Sequence, residues 1–409
     1  MGYKEYKGLD LANTHKSILK QWEEDDTFNT CIKEGEGRPA FTFYEGPPSA
    51  NGMPGIHHVI ARTLKDLFCR YKTLQGFQVH RKAGWDTHGL PVELGVEKSL
   101  GITKEDIGDT ISVEKYNQAC RKDVMKFKGE WEKLTKKMGY WVDMGDPYVT
   151  YKNKYIESVW WLLSEFHKKG LLYKGFTVQP YSPKAGTGLS THELNQPGCY
   201  RNVKDVSAIA MFKIIHNNCS SFLFEDKDDI FLVAWTTTPW TLPSNTALAV
   251  GKKINYVKIK TYNSYTGDCI NIIIAKDLLH KYFKEDLNFS DYKKGNKKLP
   301  YKILAEYTGL ELSGVSYEQL LKYAKPKDGD AFKVILGDFV TTEDGTGIVH
   351  IAPSFGADDN LIAKQNGIGS LTLVDDQGRF TSEMGELAGR YVKDEFYTVS
   401  DKKPKYPAD

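Results

Sequence analysis

The sequence has few of the features that mark membrane or secreted proteins. No window approaches the ~18 consecutive apolar residues that a membrane-spanning helix needs, so no membrane partner is expected. The N-terminal segment lacks the apolar core of a signal peptide, and Tyr6 stands where a myristoylation motif requires Ser or Thr. The six cysteines form no C-x-x-C pair, which argues against a zinc site and a disulfide framework. Scattered thiols are typical of a reducing compartment, so we expect a cytoplasmic protein.

A strong net charge is also lacking. Lysine and arginine number 55 and aspartate and glutamate 53, a balance of +2, so no global field points to nucleic acid. A local basic face would not show in this sum, and nucleic acid stays open as a partner. With 409 residues, of which 40% are hydrophobic and 12% aromatic, the chain is long enough for two or more domains with cores.

The first part of the chain predicts a strand–helix–strand unit. Residues 40–44 and 77–80 have the composition of strands, and between them apolar residues recur three and four apart from Ile60 to Tyr71. Crossovers of this kind join parallel strands. Further helices are predicted over residues 10–33, 112–138 and 154–170.

From residue 206 to 374 the pattern changes to short β-rich runs separated by turns. These runs are SAIAMFKII, DIFLVAWTTT, YVKIKTY, CINIIIA, FKVILGDFV and GIVHIA. They predict a mainly β domain with small helices, inserted after an α/β first half.

A loop rich in glycine and proline, GPPSANGMPGIHH at residues 46–58, follows the first predicted strand. It leads into a helix N-terminus, where free N–H groups favour an anion. His57 and His58 could there donate to phosphate oxygens during phosphoryl or nucleotidyl transfer. The alternative is a Gly/Pro turn with two incidental surface histidines. The loop is neither a P-loop nor a G-x-G-x-x-G fingerprint.

The segment GWDTHGLP follows the second predicted strand. Asp86 would project a carboxylate at the carboxyl edge of the sheet, beside the first loop, where it could hold an ammonium group or a ribose hydroxyl. The alternative is an Asx-turn, which is the commoner role of an isolated aspartate in a loop.

A second cluster begins with VAWTTTPWTLPSN, residues 233–245. Three threonines at a strand end place hydroxyls on both faces, so at least one can orient a water molecule. Trp235 and Trp240 offer flat walls for an adenine or an aliphatic side chain. The alternative is a β-branched strand end with packing tryptophans.

The partner of this cluster is GTGIVHIAPSFGADD, residues 345–359. His350 closes a strand, and the following loop delivers Asp358 and Asp359, which could hold a substrate ammonium group. A helix N-cap is the other interpretation, and for Asp358 it is preferred. Neither segment has the spacing of metal ligands, so no metal site is expected.

Together these motifs resemble the class I aminoacyl-tRNA synthetases, and among them the isoleucyl enzymes. The histidine–isoleucine–glycine–histidine signature of the family appears as residues 55–58, with Gly55 in the first histidine position and His57 in the glycine position. The last histidine, His58, matches. GWDTHGLPVE and WTTTPWT are the isoleucyl forms, whereas the valyl and leucyl enzymes carry other residues after the aspartate and usually an arginine after two threonines.

The resemblance implies a role for each matched residue. His57 and His58 would act on ATP, and Asp86 would bind the amino group of isoleucine. Thr236, Thr237 and Thr238 would bind the editing substrate and position the hydrolytic water. His350 would shape the side-chain pocket and Asp359 would bind the amino group of the misacylated residue. The remaining expected contacts are Glu45, Gly46, Pro47, Asn51, Gly55 and His88 for isoleucine or its adenylate, and Trp235, Trp240 and Asp358 for the editing pocket.

The implied fold is α/β: the first half of a Rossmann-type parallel-sheet domain with an inserted mainly-β editing domain. We expect the catalytic half over residues 1–184, the editing domain over 185–395 and a return segment over 396–409. The implied activity is ATP-dependent ligation of isoleucine to its tRNA, with Mg²⁺ accompanying ATP, and hydrolysis of mischarged valyl-tRNA. A monomer is expected.

Two further features bear on this expectation. The chain contains no lysine–methionine–serine–lysine–serine run and nothing that resembles an anticodon-binding domain. We therefore expect an N-terminal fragment that does not activate isoleucine but retains weak hydrolysis of valyl-tRNA. The alternatives are a valyl or leucyl synthetase fragment, disfavoured by both isoleucyl motifs, and a freestanding trans-editing or tRNA-binding module, which would have no use for the loop before Ile56.

Overall fold

The computed structural model describes residues 8–225, 228–284, 287–296 and 298–397. Two compact units meet in sequence between Lys174 and Gly175. Of the return segment expected over 396–409, all but the first two residues lie outside the described part of the chain.

The first unit is mainly helical. Its elements are α1 Leu11–Glu24, α2 Thr27–Glu34, α3 Ile56–Leu74, β1 Lys82–Trp85, α4 Leu90–Leu100, α5 Val113–Asp123, α6 Lys128–Lys137, β2 Asp143–Val149 and α7 Asn153–Lys168. β1 and β2 pair in parallel, with Trp85 opposite Val149. Parallel strands joined through helices give this unit an α/β character.

In the predicted strand–helix–strand unit the helix is correct, but the two strands are not formed as predicted. α3 is confirmed, but residues 40–44 and 77–80 make a single parallel bridge between Ala40 and Gln78. The first segment runs directly into Pro47 and Pro48, which have no N–H group to extend a ladder. The strand in this region is β1, a few residues later, and its partner β2 was not predicted because it contains Gly, Asp and Pro.

Two predicted helices are each divided. Residues 10–33 form α1 and α2, separated at Asp26, whose φ of 45° is left-handed. Residues 112–138 form α5 and α6, and the break lies where the Phe127 N–H donates to the Ala50 carbonyl of the glycine-rich loop (2.9 Å). The helix predicted over 154–170 is confirmed as α7, and Gly170 ends it with a φ of 69°.

The second unit is mainly β. Its elements are β3 Tyr181–Ser182, β4 Thr187–Gly188, α8 Thr191–Leu194, β5 Ala208–Lys213, β6 Ile230–Thr236, β7 Ala247–Val250, β8 Asn255–Tyr262, β9 Cys269–Ala275, α9 Leu279–Tyr282, β10 Lys302–Thr308, α10 Gly309–Leu312, β11 Lys333–Leu336, β12 Ile348–Ile351 and α11 Ala357–Gln365. Each of the six predicted β-rich runs overlaps one of these strands.

Two sheets pack against each other in this unit. One has the order β10-β8-β9-β6-β5 and the other the order β11-β7-β12. A shared core of fully buried side chains, including Phe212, Leu232, Leu248 and Ile273, joins them. Thr236 ends β6 in the first sheet and His350 lies in β12 of the second, so the two threonine- and histidine-bearing motifs come together.

Candidate functional sites

In the first unit, a cavity of about 440 Å³ lies between the glycine-rich loop and α3. Its lining residues are Gly46, Pro47, Pro48, Ser49, Asn51, Gly52, Met53, His58, Ala61, Arg62, Lys65 and Trp131. The structure thus brings four of the expected residues to one place, namely Gly46, Pro47, Asn51 and His58.

The signature histidines begin α3, whose N-cap is Gly55. The Gly55 N–H donates to His58 Nδ1 (2.9 Å), so the proton of the neutral His58 ring lies on Nε2. Burial lowers the pKa of His58, and the charges of His57 and Arg62 lower it further. His57 is exposed and contacts the His58 ring in a tilted arrangement, with ring centroids 3.8 Å apart. His58 is therefore a neutral donor at the cavity, and His57 lies beside it on the outside.

Two cationic side chains that were not predicted from the sequence, Arg62 and Lys65, also line this cavity. They lie one and two helical turns after His58. Arg62 is 9% exposed and donates to Thr135 Oγ1 (2.6 Å), while its Nε finds no hydrogen-bond partner among the described residues. Lys65 donates to the Gly46 carbonyl (3.0 Å) and pairs with the Glu45 carboxylate. Their spacing on the loop-facing side of α3 was the signal that could have identified them.

Glu45 lies beneath the loop instead of lining the cavity. Its side chain is 4% exposed, one carboxylate oxygen is held by Lys65 and the other by the Tyr140 hydroxyl. The Tyr148 hydroxyl donates to the Glu45 carbonyl (2.7 Å). These contacts anchor the start of the loop, so the geometry gives Glu45 a positioning role and not a ligand-facing one.

Asp86 follows β1 directly, and its N–H donates to the Pro48 carbonyl (3.0 Å). The two motifs are therefore adjacent, as expected. The carboxylate is exposed and accepts the His88 N–H at 3.5 Å, the Asx-turn contact of the alternative interpretation. His88 is exposed, and its Nδ1 lies 3.1 Å from Thr150 Oγ1.

In the second unit, a cavity of about 480 Å³ opens where β6 ends. It is lined by the expected residues Trp235, Thr236, Thr237, Thr238, Trp240, His350 and Asp359, and by others that include Thr241, Phe355 and the segment from Glu343 to Val349. Asp358 is not among the lining residues; it is exposed on the first turn of α11.

The three threonines differ in their surroundings. Thr236 is buried and its hydroxyl accepts the Thr238 N–H (3.1 Å), which closes a local turn. Thr237 and Thr238 are exposed at the cavity. Trp240 forms a wall and packs edge-on against Phe355, with centroids 5.2 Å apart. The hydroxyls available to a ligand or a water are therefore those of Thr237 and Thr238.

His350 has a partner on each ring nitrogen. Nε2 lies 2.8 Å from Thr241 Oγ1 and Nδ1 lies 3.1 Å from Asn245 Nδ2. Burial lowers the pKa of His350 to about 4, so the ring is neutral at physiological pH. Thr241 and Asn245 belong to the threonine motif, but nothing in the sequence indicated that they contact His350.

Asp359 reaches from α11 back to the residue that follows β12. Its Oδ2 accepts the Ala352 N–H (2.8 Å), and burial raises its pKa. The N-cap of α11 is Gly356, so the interpretation of Asp358 as the N-cap is wrong. A partly buried carboxylate with one oxygen free of this contact suits an ammonium group, since such a charge would stabilise the ionised form.

Within the described ranges, no group of three or more His, Cys, Asp or Glu side chains could hold a metal ion. Among the same residues, no helix has the length and apolar character to cross a membrane.

The sequence that forms these two sites also matches a known protein family. The family of class I tRNA synthetases (I, L, M and V) matches residues 17–358, and the chain belongs to it. Among curated relatives, the isoleucine–tRNA ligase of Bacteroides fragilis strain ATCC 25285 is 60% identical over 402 residues, 98% of this chain and 34% of the relative. The isoleucine–tRNA ligases of Porphyromonas gingivalis and Clostridium novyi are 60% and 42% identical, over 95% and 94% of this chain. The chain spans about a third of the length of these relatives.

Two solved structures show partial similarity to this chain. The crystal structure of GlLeuRS-CP1 superposes with a TM-score of 0.29 and 19% identity, covering 40% of this chain and 65% of that one. The Plasmodium knowlesi cytosolic leucyl-tRNA synthetase editing domain gives a TM-score of 0.28 and 18% identity, covering 39% and 62%.

Proposed function

We propose that this chain forms part of an isoleucine–tRNA ligase and carries an editing site that hydrolyses valyl-tRNA. The identity of 60% to relatives with that activity supports the ligase, and the cavity bounded by Thr237, His350 and Asp359 carries the editing assignment. The catalytic half would occupy residues 1–184 as the first part of a Rossmann-type domain, and the editing domain residues 185–395. We further propose a monomeric, cytoplasmic protein.

In the ligase reaction, the first cavity would hold ATP and isoleucine. Arg62, whose buried Nε has no hydrogen-bond partner in the described part of the chain, and Lys65 suit a polyanion such as a triphosphate, which Mg²⁺ would accompany. His58 would donate through Nε2 to a phosphate oxygen, and the exposed Asp86 carboxylate would pair with the isoleucine ammonium group. The product acyl group would pass to the tRNA for isoleucine.

Editing is required because isoleucine and valine differ by one methylene. That difference supports roughly 1–3 kcal/mol of discrimination, a limit for which isoleucyl synthetase is itself the usual example. A second pocket that admits valine and excludes isoleucine removes the errors. Asp359 would hold the valyl ammonium group, and the hydroxyls of Thr237 and Thr238 would orient the water. The water oxygen attacks the ester carbonyl, the ester bond breaks, and valine and uncharged tRNA leave.

The purified chain should hydrolyse valyl-tRNA faster than buffer alone and leave isoleucyl-tRNA intact. Thr237→Ala and Asp359→Ala should each lower the rate, because one loses a water-orienting hydroxyl and the other the ammonium partner. Unchanged hydrolysis in both variants, or no hydrolysis by the wild-type chain, would refute the editing assignment. Preferential hydrolysis of other misacylated tRNAs would indicate a valyl or leucyl enzyme.

A further inference from the structure

A buried chain of hydrogen bonds continues from the editing cavity into the core. Beyond His350 and Asn245, the next group is the Tyr317 hydroxyl, which donates to Asn245 Oδ1 at 2.7 Å. Tyr317 is 1% exposed, does not line the cavity, and packs edge-on against Phe212 with centroids 5.2 Å apart. Among the described residues, the hydrogen bond that links its hydroxyl to the editing site is the one to Asn245.

Two backbone carbonyls fix which group donates in each of these hydrogen bonds, because a carbonyl oxygen can accept a hydrogen bond but cannot donate one. Asn245 Nδ2 lies 2.8 Å from the Ala247 carbonyl, so the amide N–H groups face Ala247 and His350 while Oδ1 faces Tyr317. His350 Nδ1 must therefore accept, and the ring proton lies on Nε2. At the other end, the Thr241 hydroxyl donates to the Thr238 carbonyl (2.8 Å) and accepts from His350 Nε2.

This arrangement leaves His350 no free lone pair with which to take a proton from water. A second proton on the ring would place Nδ1–H against the N–H of Asn245, so the cation is disfavoured by geometry as well as by burial. In the proposed deacylation, His350 therefore positions Thr241 and shapes the pocket, and it is not a general base.

The backbone beside Tyr317 is strained in a way that supports a positioning role. Phe332 has a φ of 60°, a left-handed conformation that is strained for a bulky residue. It is retained between two hydrogen bonds: the Phe332 N–H donates to the Thr246 carbonyl (2.7 Å) and the Tyr317 N–H donates to the Phe332 carbonyl (2.9 Å). The segment with Tyr317 is thereby tied to the residue that follows Asn245.

We infer that Tyr317 is a positioning residue for the editing site: its hydroxyl, acting with the Ala247 carbonyl, orients the Asn245 amide so that His350 is held as the Nε2–H tautomer. The inference deepens the proposed editing function and rests on it for its catalytic consequence. The tautomer itself does not depend on that function.

The tautomer is measured first, on the wild-type chain. Imidazole ¹⁵N resonances, with those of His350 assigned through a His350→Gln variant, should show an unprotonated Nδ1 and a protonated Nε2 at neutral pH. A protonated Nδ1, or rapid averaging of the two forms, would overturn the inference without any further variant.

The role of Tyr317 is tested with Tyr317→Phe against Tyr256→Phe. Tyr256 is a matched control because it is fully buried in the same core and its hydroxyl donates to the Gly347 carbonyl (2.7 Å) instead of to the histidine chain. Tyr317→Phe removes the donor to Asn245 Oδ1 and leaves the amide held by the Ala247 carbonyl alone. The Nδ1–H tautomer should therefore rise above its wild-type population, and kcat for valyl-tRNA hydrolysis should fall about five-fold with little change in KM, as expected for the loss of one hydrogen bond. Tyr256→Phe should leave the tautomer unchanged.

The positioning role would be overturned if Tyr317→Phe left the His350 spectrum and kcat unaltered and lost only as much stability as Tyr256→Phe. Tyr317 would then have a purely structural role. A wild-type chain that hydrolyses no valyl-tRNA would count against the proposed function, whereas the ring spectrum decides the tautomer separately.

Discussion

The imidazole of His57 occupies the space in which a side chain at position 55 would begin. A Cβ built on Gly55 would lie 3.0 Å from His57 Cε1 and 3.1 Å from its Nδ1. The exchange of glycine and histidine within the family signature is therefore physically coupled, because a histidine at 57 in this conformation favours glycine at 55. The His57 ring lies over the N-terminus of α3, near where the first histidine of the signature would project.

This coupling predicts a double-mutant cycle at the start of α3. Gly55→Ala should lower the free energy of unfolding by about 1 kcal/mol, since the methyl displaces the His57 ring from its tilted contact with the His58 ring. In a His57→Gly background the same substitution should cost only the small N-cap preference for glycine over alanine. Urea unfolding of the four proteins gives the coupling energy. Additive effects would show that the two positions are independent.

A second prediction concerns the pair Gly84 and Tyr148, which face each other across β1 and β2. A Cβ on Gly84 would lie 2.3 Å from Tyr148 Cζ, so Gly84→Ala must displace the ring and its hydrogen bond to the Glu45 carbonyl. We expect a loss of about 2 kcal/mol or more in urea unfolding. Gly129→Ala is the control: it faces open space in α6 and should be neutral or stabilising by up to about 1 kcal/mol. Equal effects of the two substitutions would contradict the packing argument.

His350 should make stability depend on pH. Its pKa is lowered by burial from 6.5 to about 4, so below pH ~6.5 the unfolded chain takes up a proton that the folded chain resists. Its contribution is fully present above pH ~6.5, decreases as the pH falls to about 4, and changes by an amount on the order of 3 kcal/mol. Urea unfolding of wild type and His350→Gln across this range isolates the effect. A difference between the two proteins that does not vary with pH would refute it.

The two adjacent aspartates of α11 should behave differently in valyl-tRNA hydrolysis. Asp359→Asn can still accept the Ala352 N–H but loses the charge for the ammonium group, so kcat/KM should fall roughly 10- to 100-fold. Asp358→Asn, at an exposed position outside the cavity lining, should stay within about two-fold of wild type. Similar losses in both variants would mean that general electrostatics and not a specific contact governs binding.

Elements with strong local signals were predictable, and those created by long-range contacts were not. The periodicity from Ile60 to Tyr71 predicted α3, and the β-rich runs predicted strands such as β6 and β12. The strand β2 was not predicted, because its composition disfavours a strand and it is stabilised by its pairing with β1. The break between α5 and α6 at Phe127 was not predicted for a similar reason: the Phe127 N–H donates a hydrogen bond to the carbonyl of Ala50, which is distant in sequence.

At the sites, the sequence by itself determined which residue types are present and in which loops. Motif spacing marked the short segments that hold His57 and His58, the three threonines, His350 and the two aspartates, and the resemblance to the synthetase family supplied their expected roles. Only the tertiary structure decided that Glu45 is buried under its loop, that Arg62 and Lys65 face the first cavity, and that Tyr317 bonds to Asn245. The physical reason is that burial, protonation and hydrogen-bond direction depend on atoms brought from distant parts of the chain, and periodicity and spacing do not record those atoms.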